Sequence, residues 1–199
     1  MSLNHILLGM LREPSTGYEL GKEFSEGAQH FWFAELSQIY PTLKRMRDRG
    51  WLDTWEEPSE RGPKRKVYKT TAEGRAELRT WLRDGPHLGR ERLGFIAQTF
   101  FLGELKSYEE SLSIVRKMRA MWEHKLGYLE HVERMVEEDH GDPSHYGGDG
   151  LHNHAALRMG IHMLRAKLAW CAETLERLET RLELAEPTPA GQETTRWMR

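Results

Sequence analysis

Between Leu157 and Leu182 the apolar residues Leu157, Ile161, Leu164, Leu168, Cys171, Leu175, Leu178 and Leu182 step by 4, 3, 4, 3, 4, 3 and 4. No strand brings such a series to one face. An α-helix does, and the alternation of threes and fours is an a/d seam running through about three heptads. A looser stripe precedes it, with Leu112, Val115, Trp122, Leu126, Leu129, Val132 and Val136 in a helix expected from about Ser107 to Glu138. The segment "DHGDPSHYGGDG" between the two is rich in turn-forming residues, so the helices are expected to fold back as an antiparallel pair. One neighbour in the same chain is not expected to cover so regular a seam. A second copy of the chain is the simplest cover, so the eight seam residues are read as a homodimer interface.

The first 85 residues follow another pattern. Leu3, Ile6, Leu7, Met10 and Leu11 form a helical stripe that ends before Pro14. In "STGYELGKEF" Thr16 precedes Glu19 by three residues, the spacing of a capping box, with Leu20 and Phe24 facing inward. A third helix, starting near residues 34–37, buries Leu36, Ile39, Leu43 and Met46 and stops at Gly50, where a left-handed cap is open to glycine. That start places Pro41 near the first turn, where proline costs least. "WLDTWEE" and "KRKVYKTT" then read as two strands around the turn "PSERGPK", and Thr70 or Thr71 caps a fourth helix. Three helices followed by a two-stranded hairpin is the winged form of the helix-turn-helix. The expected fold is mainly α, with a winged helix-turn-helix in residues 1–85, an antiparallel helical coiled-coil domain for dimerisation in 86–186, and a mobile tail in 187–199.

Charge separates along the chain in the same way. From Tyr40 to Lys69 nine Lys and Arg stand against five acids, +4, so the remainder carries −6 of the chain's net −2. A local cationic surface inside an acidic protein is what phosphate contact requires; a basic turn can equally be a solvated one. Beside it, the open face of the third helix holds hydrogen-bonding and cationic groups. Gln38 can pair with a base edge, while Tyr40 and Lys44 can reach phosphates. Ser37, Thr42 and Arg45 share that helix, and Arg61, Gly62, Lys64, Arg65 and Lys66 form the wing. Thr16 and the first amides of the second helix can hold a further phosphate. Double-stranded DNA is the partner this pattern implies, with a protein-binding adaptor as the rival reading.

"TGYEL", "SQIYPTLKRM", "RGWLDTWEE", "RGPKRKVYKTTAEGRAEL" and "ALRMGIHMLRAKLAWCAETLERLE" resemble the PadR family of bacterial transcriptional regulators, over residues 1 to about 185 and in its longer-tailed branch. The resemblance implies that the helix bearing Tyr40 docks in the major groove. It implies that the wing around Gly62 meets the backbone or the minor groove, and that the C-terminal helices form a homodimer. The protein is then a regulator, expected to repress from an inverted-repeat operator. Some members of the family respond to phenolic acids or planar drugs. Glu35 departs from the small polar residue often found at the start of the reading helix.

Other features bound the function. Trp122, Tyr128 and Trp170 lie near the long helices, either lining a pocket for a small aromatic effector or filling the core. His140, His145, His152 and His154 with Asp139, Asp142 and Asp149 match no metal-ligand spacing, so the loop is read as solvated and no metal or other cofactor is expected. No catalytic motif occurs, so no enzyme is expected. The single cysteine, Cys171, excludes an intrachain disulfide. No apolar run reaches membrane-spanning length and the N-terminus has no leader character, so a cytoplasmic location is expected.

Overall fold

The computed structural model describes residues 2–26, 36–58, 64–86 and 93–184. The wing-tip residues Arg61 and Gly62, Glu35, the "HLG" of the linker and the tail 187–199 lie outside these residues, as do the side chains of Phe24 and Leu36. Two compact units divide the chain, Met1–Arg90 and Glu91–Arg199.

The first unit runs α1 (Ser2–Met10), β1 (Ser15–Thr16), α2 (Gly17–Glu26), α3 (Leu36–Asp48), β2 (Leu52–Glu57), β3 (Arg65–Thr70) and α4 (Ala72–Arg83). The three strands form an antiparallel sheet in the order β1-β3-β2. The two-stranded wing expected from the sequence is therefore joined by a third strand. Ser15 pairs with Tyr68 and Thr16 with Val67, and two residues carry too little alternation to announce a strand. Leu7, Leu8, Leu11, Leu20, Ile39, Leu43, Met46, Leu52 and Tyr68 make the core. A fully buried leucine among them contributes on the order of 1.5–3 kcal/mol.

Both ends of the hairpin are pinned by local hydrogen bonds. At the end of α3, Gly50 adopts φ +73°. Its N–H donates to the Arg47 carbonyl at 2.8 Å, and that of Trp51 to Met46 at 3.0 Å. This is the doubly bonded left-handed cap that glycine favours. Thr71, not Thr70, caps α4: its Oγ1 accepts from Gly74 N–H at 3.0 Å and donates to the Gly50 carbonyl at 2.7 Å. Thr70 is buried instead, with its hydroxyl donating to the Leu8 carbonyl at 3.0 Å. The α3 helix continues through Pro41, which sits in its second turn rather than its first.

In the second unit α5 (Gly94–Phe100) and a short 3₁₀ turn lead into α6 (Tyr108–His140) and α7 (Asp149–Glu183). Ser107 caps α6 by accepting from Glu110 N–H at 3.1 Å. The heptad seam of α7 is buried within the chain. Leu157, Ile161 and Leu164 pack with Leu129, Leu126 and Val132 of α6. Cys171 and Leu175 pack with Leu112, Val115 and Met118, flanked by the partly buried Leu178 and Leu182; Leu168 is half-buried. The seam therefore packs against α6 along most of its length, with Leu168, Leu178 and Leu182 left partly exposed. Burial also holds the Cys171 thiol above the ordinary range. Three ion pairs cross the hairpin beside the seam: Arg116–Glu179 at 2.7 Å, Arg165–Glu130 at 2.7 Å and Arg158–Glu133 at 3.0 Å.

Gly74 lies where α4 presses on the hairpin corner. A Cβ there would overlap the Trp51 carbonyl oxygen and crowd Thr70 and Leu8. Because the first obstacle is backbone, Gly74→Ala is expected to cost about 1–3 kcal/mol despite the better helix propensity of alanine. Chemical denaturation of the two proteins side by side measures the loss.

Candidate nucleic-acid interface

The α3 helix places Ile39, Leu43 and Met46 against the core, so its opposite arc is open. Ser37, Pro41, Lys44 and Asp48 occupy the middle of that arc, with Gln38 and Arg45 on one edge and Tyr40 on the other, and all are exposed. From Lys44 to Arg49 four cations accompany one acid. Arg47 neutralises that acid locally, with Nε at 3.0 Å and Nη2 at 2.7 Å from Asp48 Oδ1. Asp48 therefore does not set a bare negative charge within the cationic face.

Thr42 corrects the sequence reading. It is buried, and its hydroxyl donates to the Gln38 carbonyl at 2.7 Å and accepts from Arg45 Nη2 at 2.8 Å. It cannot touch a ligand; it steers Arg45. Thr16 completes its capping box. Its Oγ1 accepts from Glu19 N–H at 3.2 Å, while its own N–H donates to Glu19 Oε2 at 2.9 Å. The capping box is thus complete. Those bonds, aided by Arg65, hold the Glu19 carboxyl below its ordinary range. A lowered folded value stabilises at pH above the unfolded one, so the box weakens as pH falls through the folded value.

Tyr40 is held by a glycine. The α2 helix opens with Gly17 against the Tyr40 ring, and a Cβ on Gly17 would lie 2.6 Å from Cε1. Tyr40 nevertheless keeps 47% of its surface exposed. Next to Gly17, Tyr18 is 78% exposed at the first turn of α2. The sequence reading missed Tyr18; its place just after the cap and off the Leu20 stripe was the available signal.

In the wing, opposite charges face each other across the ladder. Asp53 pairs with Lys69, Glu56 with Lys66 and Glu57 with Arg65. Lys64 Nζ lies 3.5 Å from Glu56, and Arg65 Nη1 lies 3.9 Å from Glu19. Lys66 Nζ stands 5.7 Å over the Tyr68 ring. Such exposed pairs contribute about 0–1 kcal/mol, so incoming phosphates can exchange with them. The arrangement can bind a polyanion along β3 and α3, and Gln38 lies at the edge of that face with the hydrogen-bonding groups needed to read a base.

In the second unit Trp122 and Trp170 meet, with ring centroids 6.2 Å apart. Phe95 of α5 wedges against them at 4.9 and 6.1 Å, and Lys167 Nζ lies 5.6 Å from both the Phe95 and Trp122 rings. Tyr128 is outside this cluster, because six residues carry it round α6 from Trp122; it is half-exposed.

By architecture this is a winged helix-turn-helix regulator with a helical-hairpin C-terminal unit. The transcriptional regulator PadR-like family model matches residues 6–80, and the virulence activator alpha C-terminal model matches residues 92–179. The chain belongs to the PadR-like family, whose members are regulators of transcription and not enzymes. It is 27% identical to the probable transcriptional regulator Rv1176c of Mycobacterium tuberculosis, over 90% of this chain and 98% of that protein. It is 24% identical to the negative transcriptional regulator PadR of Bacillus subtilis, over 89% and 97%. The crystal structure of that PadR with operator DNA superposes with a TM-score of 0.74 at 25% identity, covering 89% of this chain and 99% of the other. Its structure with p-coumaric acid gives 0.68, also at 25%, covering 90% and 99%. No helix among the described residues is long and apolar enough to cross a membrane.

Gly17→Ala is expected to push the Tyr40 ring out of its seat while leaving the core intact. Affinity for DNA is expected to fall, and the loss to vanish in a Tyr40→Ala background, where no ring remains to displace. A double-mutant cycle of DNA affinities measures the coupling.

Proposed function

We propose that this protein is a cytoplasmic, homodimeric repressor that binds an inverted-repeat operator and is released by a small aromatic effector. The observation that carries the DNA reading is the exposed arc of α3, with Tyr40 seated on Gly17 and the β3 cations in the same unit. Ser37, Gln38, Tyr40, Lys44 and Arg45 meet the major groove, and Lys64, Arg65 and Lys66, with Arg61 and Gly62 of the wing tip, meet the backbone. Tyr18 joins them at phosphate level. The repressor role is supported by the negative regulator among the relatives, and effector release by the relative bound to p-coumaric acid. For such an acid the Phe95–Trp122–Trp170 cluster offers ring faces, and Lys167 a cation for the carboxylate. The domain division at about residue 85 follows the same division of labour.

With most of the α7 seam packed against α6, the dimer draws on a further surface. Exposed apolar residues supply it: Ile96, Phe100 and Phe101 on α5 and after it, Met121, Tyr128 and Met135 at seven-residue steps on α6, and Met159 and Met163 on α7. Grouped exposure of this kind marks an association surface. A two-fold dimer requires half-sites about 34 Å apart, or a multiple of that, in inverted orientation. Met159→Glu with Met163→Glu is expected to give a folded monomer that has lost the affinity of the full site over the half-site. Sedimentation and titration on both sites check it, and a dimeric double mutant removes α7 from the interface.

Selection of bound fragments from random DNA tests the reading as a whole; selection of no sequence, with affinity indifferent to salt, favours the adaptor. Lys64→Ala with Lys66→Ala is expected to weaken all sequences alike and to flatten the salt slope by about 0.9 per lost phosphate contact. Gln38→Ala is expected to relax preference at one position of each half-site, by roughly 1–3 kcal/mol if the contact is bidentate. Tyr40→Phe is expected to lower affinity and keep the preferred sequence. Anisotropy titrations on a substituted operator set separate these outcomes.

A further inference from the structure

At the end of the helical hairpin, far along the chain from the winged unit, three potential metal ligands converge. Glu133 and Glu137 stand one turn apart on α6, and His154 faces them from the first turns of α7. His154 Nε2 lies 3.6 Å from Glu133 Oε1 and 3.9 Å from Glu137 Oε1. Both distances are too long for a hydrogen bond. They suit two atoms that share an ion instead, since ligands each about 2.0–2.2 Å from a metal are themselves roughly 3–4 Å apart.

The second observation is the state of that nitrogen. His154 Nε2 is buried and has no hydrogen-bond partner among the described residues. Its side chain is only 13% exposed, and that of Glu133 only 12%. A buried polar atom without a partner is destabilising, and a cation between it and the carboxylates would relieve that. The surroundings hold the set in place. The Tyr146 ring lies edge-on to His154 at 5.7 Å, and Tyr146 donates to the Gly141 carbonyl at 3.0 Å. Arg158 Nη1 donates to Glu133 Oε1 at 3.0 Å, the outer hydrogen bond that ligating carboxylates commonly receive. Glu137, 44% exposed, leaves a path from solvent.

We propose that Glu133, Glu137 and His154 bind a divalent transition-metal ion, Zn²⁺ foremost, with water completing the coordination. One imidazole with two carboxylates is a borderline ligand set that suits Zn²⁺, Co²⁺ or Mn²⁺ better than a soft or a purely hard cation. The ion ties α6 to α7 beside the turn that joins them. Only one of the four loop histidines takes part. Asp139 pairs with His140 at 2.8 Å, Asp142 accepts from Ser144, and His152 Nδ1 lies 3.3 Å from the Gly148 carbonyl.

The test is titration of Zn²⁺ into the chelator-treated full-length protein by calorimetry, with Co²⁺ absorption as a second probe. The expected result is one ion per chain, a visible Co²⁺ spectrum and a raised melting temperature. His154→Ala and Glu137→Gln are each expected to weaken binding by roughly tenfold or more. Glu137→Gln is nearly isosteric at an exposed position, so it preserves the fold, which circular dichroism confirms. His145→Ala and His152→Ala are expected to bind as the parent does. Absence of saturable binding overturns the proposal. So does binding that survives both ligand substitutions, or binding lost equally in the two control variants.

Discussion

Two adjacent threonines hold the winged unit closed. Thr70 donates its N–H to the Leu11 carbonyl and its hydroxyl to the Leu8 carbonyl, fixing the last residue of β3 to the end of α1. Thr71 donates its N–H to the Trp51 carbonyl and its hydroxyl to that of Gly50, then accepts the N–H of Gly74. Five hydrogen bonds at one corner join the first helix, the stop of the third, the hairpin and the fourth helix. Buried carbonyls without partners would cost about 1–3 kcal/mol each, so the corner admits little variation. The angle at which α3 leaves the core follows from it, because Gly50 both ends that helix and accepts from Thr71. Gly74 belongs to the same constraint, since any side chain there would displace the Trp51 carbonyl.

The second unit rests on a different principle. There the α7 seam is satisfied by α6, and salt bridges flank it at intervals. Having spent its regular apolar face within the chain, α7 still carries Met159 and Met163 outside it, and α6 carries Met121 and Met135. Methionine is flexible enough to pack against irregular partners.

Much of this organisation was legible in the sequence, and the failures have identifiable causes. Helical stripes at Leu36–Met46 and Leu157–Leu182, the Thr16–Glu19 box and the Gly50 stop are local patterns, and periodicity reports them directly. Periodicity identifies the buried face of α7 but not its partner. The same spacing serves a neighbour in the same chain, and α6 takes most of it. Thr42 was misplaced because a small polar residue beside the apolar stripe can point either way, and only its bond to the Gln38 carbonyl settles the matter. Strand β1 was invisible because its two residues pair with β3 across fifty positions of sequence. The Glu133–Glu137–His154 set escaped notice because its members come from two elements that only the hairpin brings together.

The wing poses the remaining electrostatic problem. Its β3 cations Arg65, Lys66 and Lys69 are in register with the acids Glu57, Glu56 and Asp53 of β2, which lowers the local positive charge. Under the proposed DNA reading, phosphate contact becomes an exchange in which a carboxylate neighbour is replaced by a singly charged phosphodiester. The salt dependence of binding counts the DNA counterions displaced, and so registers every phosphate the wing touches. The affinity registers only the difference between phosphate and carboxylate partners. A wing of this kind therefore contributes more to salt sensitivity than to binding strength. The α3 helix, with Lys44, Arg45 and Arg47 against the single Asp48 already clamped by Arg47, has no such opposing partner strand. Under the proposed DNA reading, binding strength then falls mainly to the helix that also holds Gln38, and the wing sets the salt conditions under which it engages.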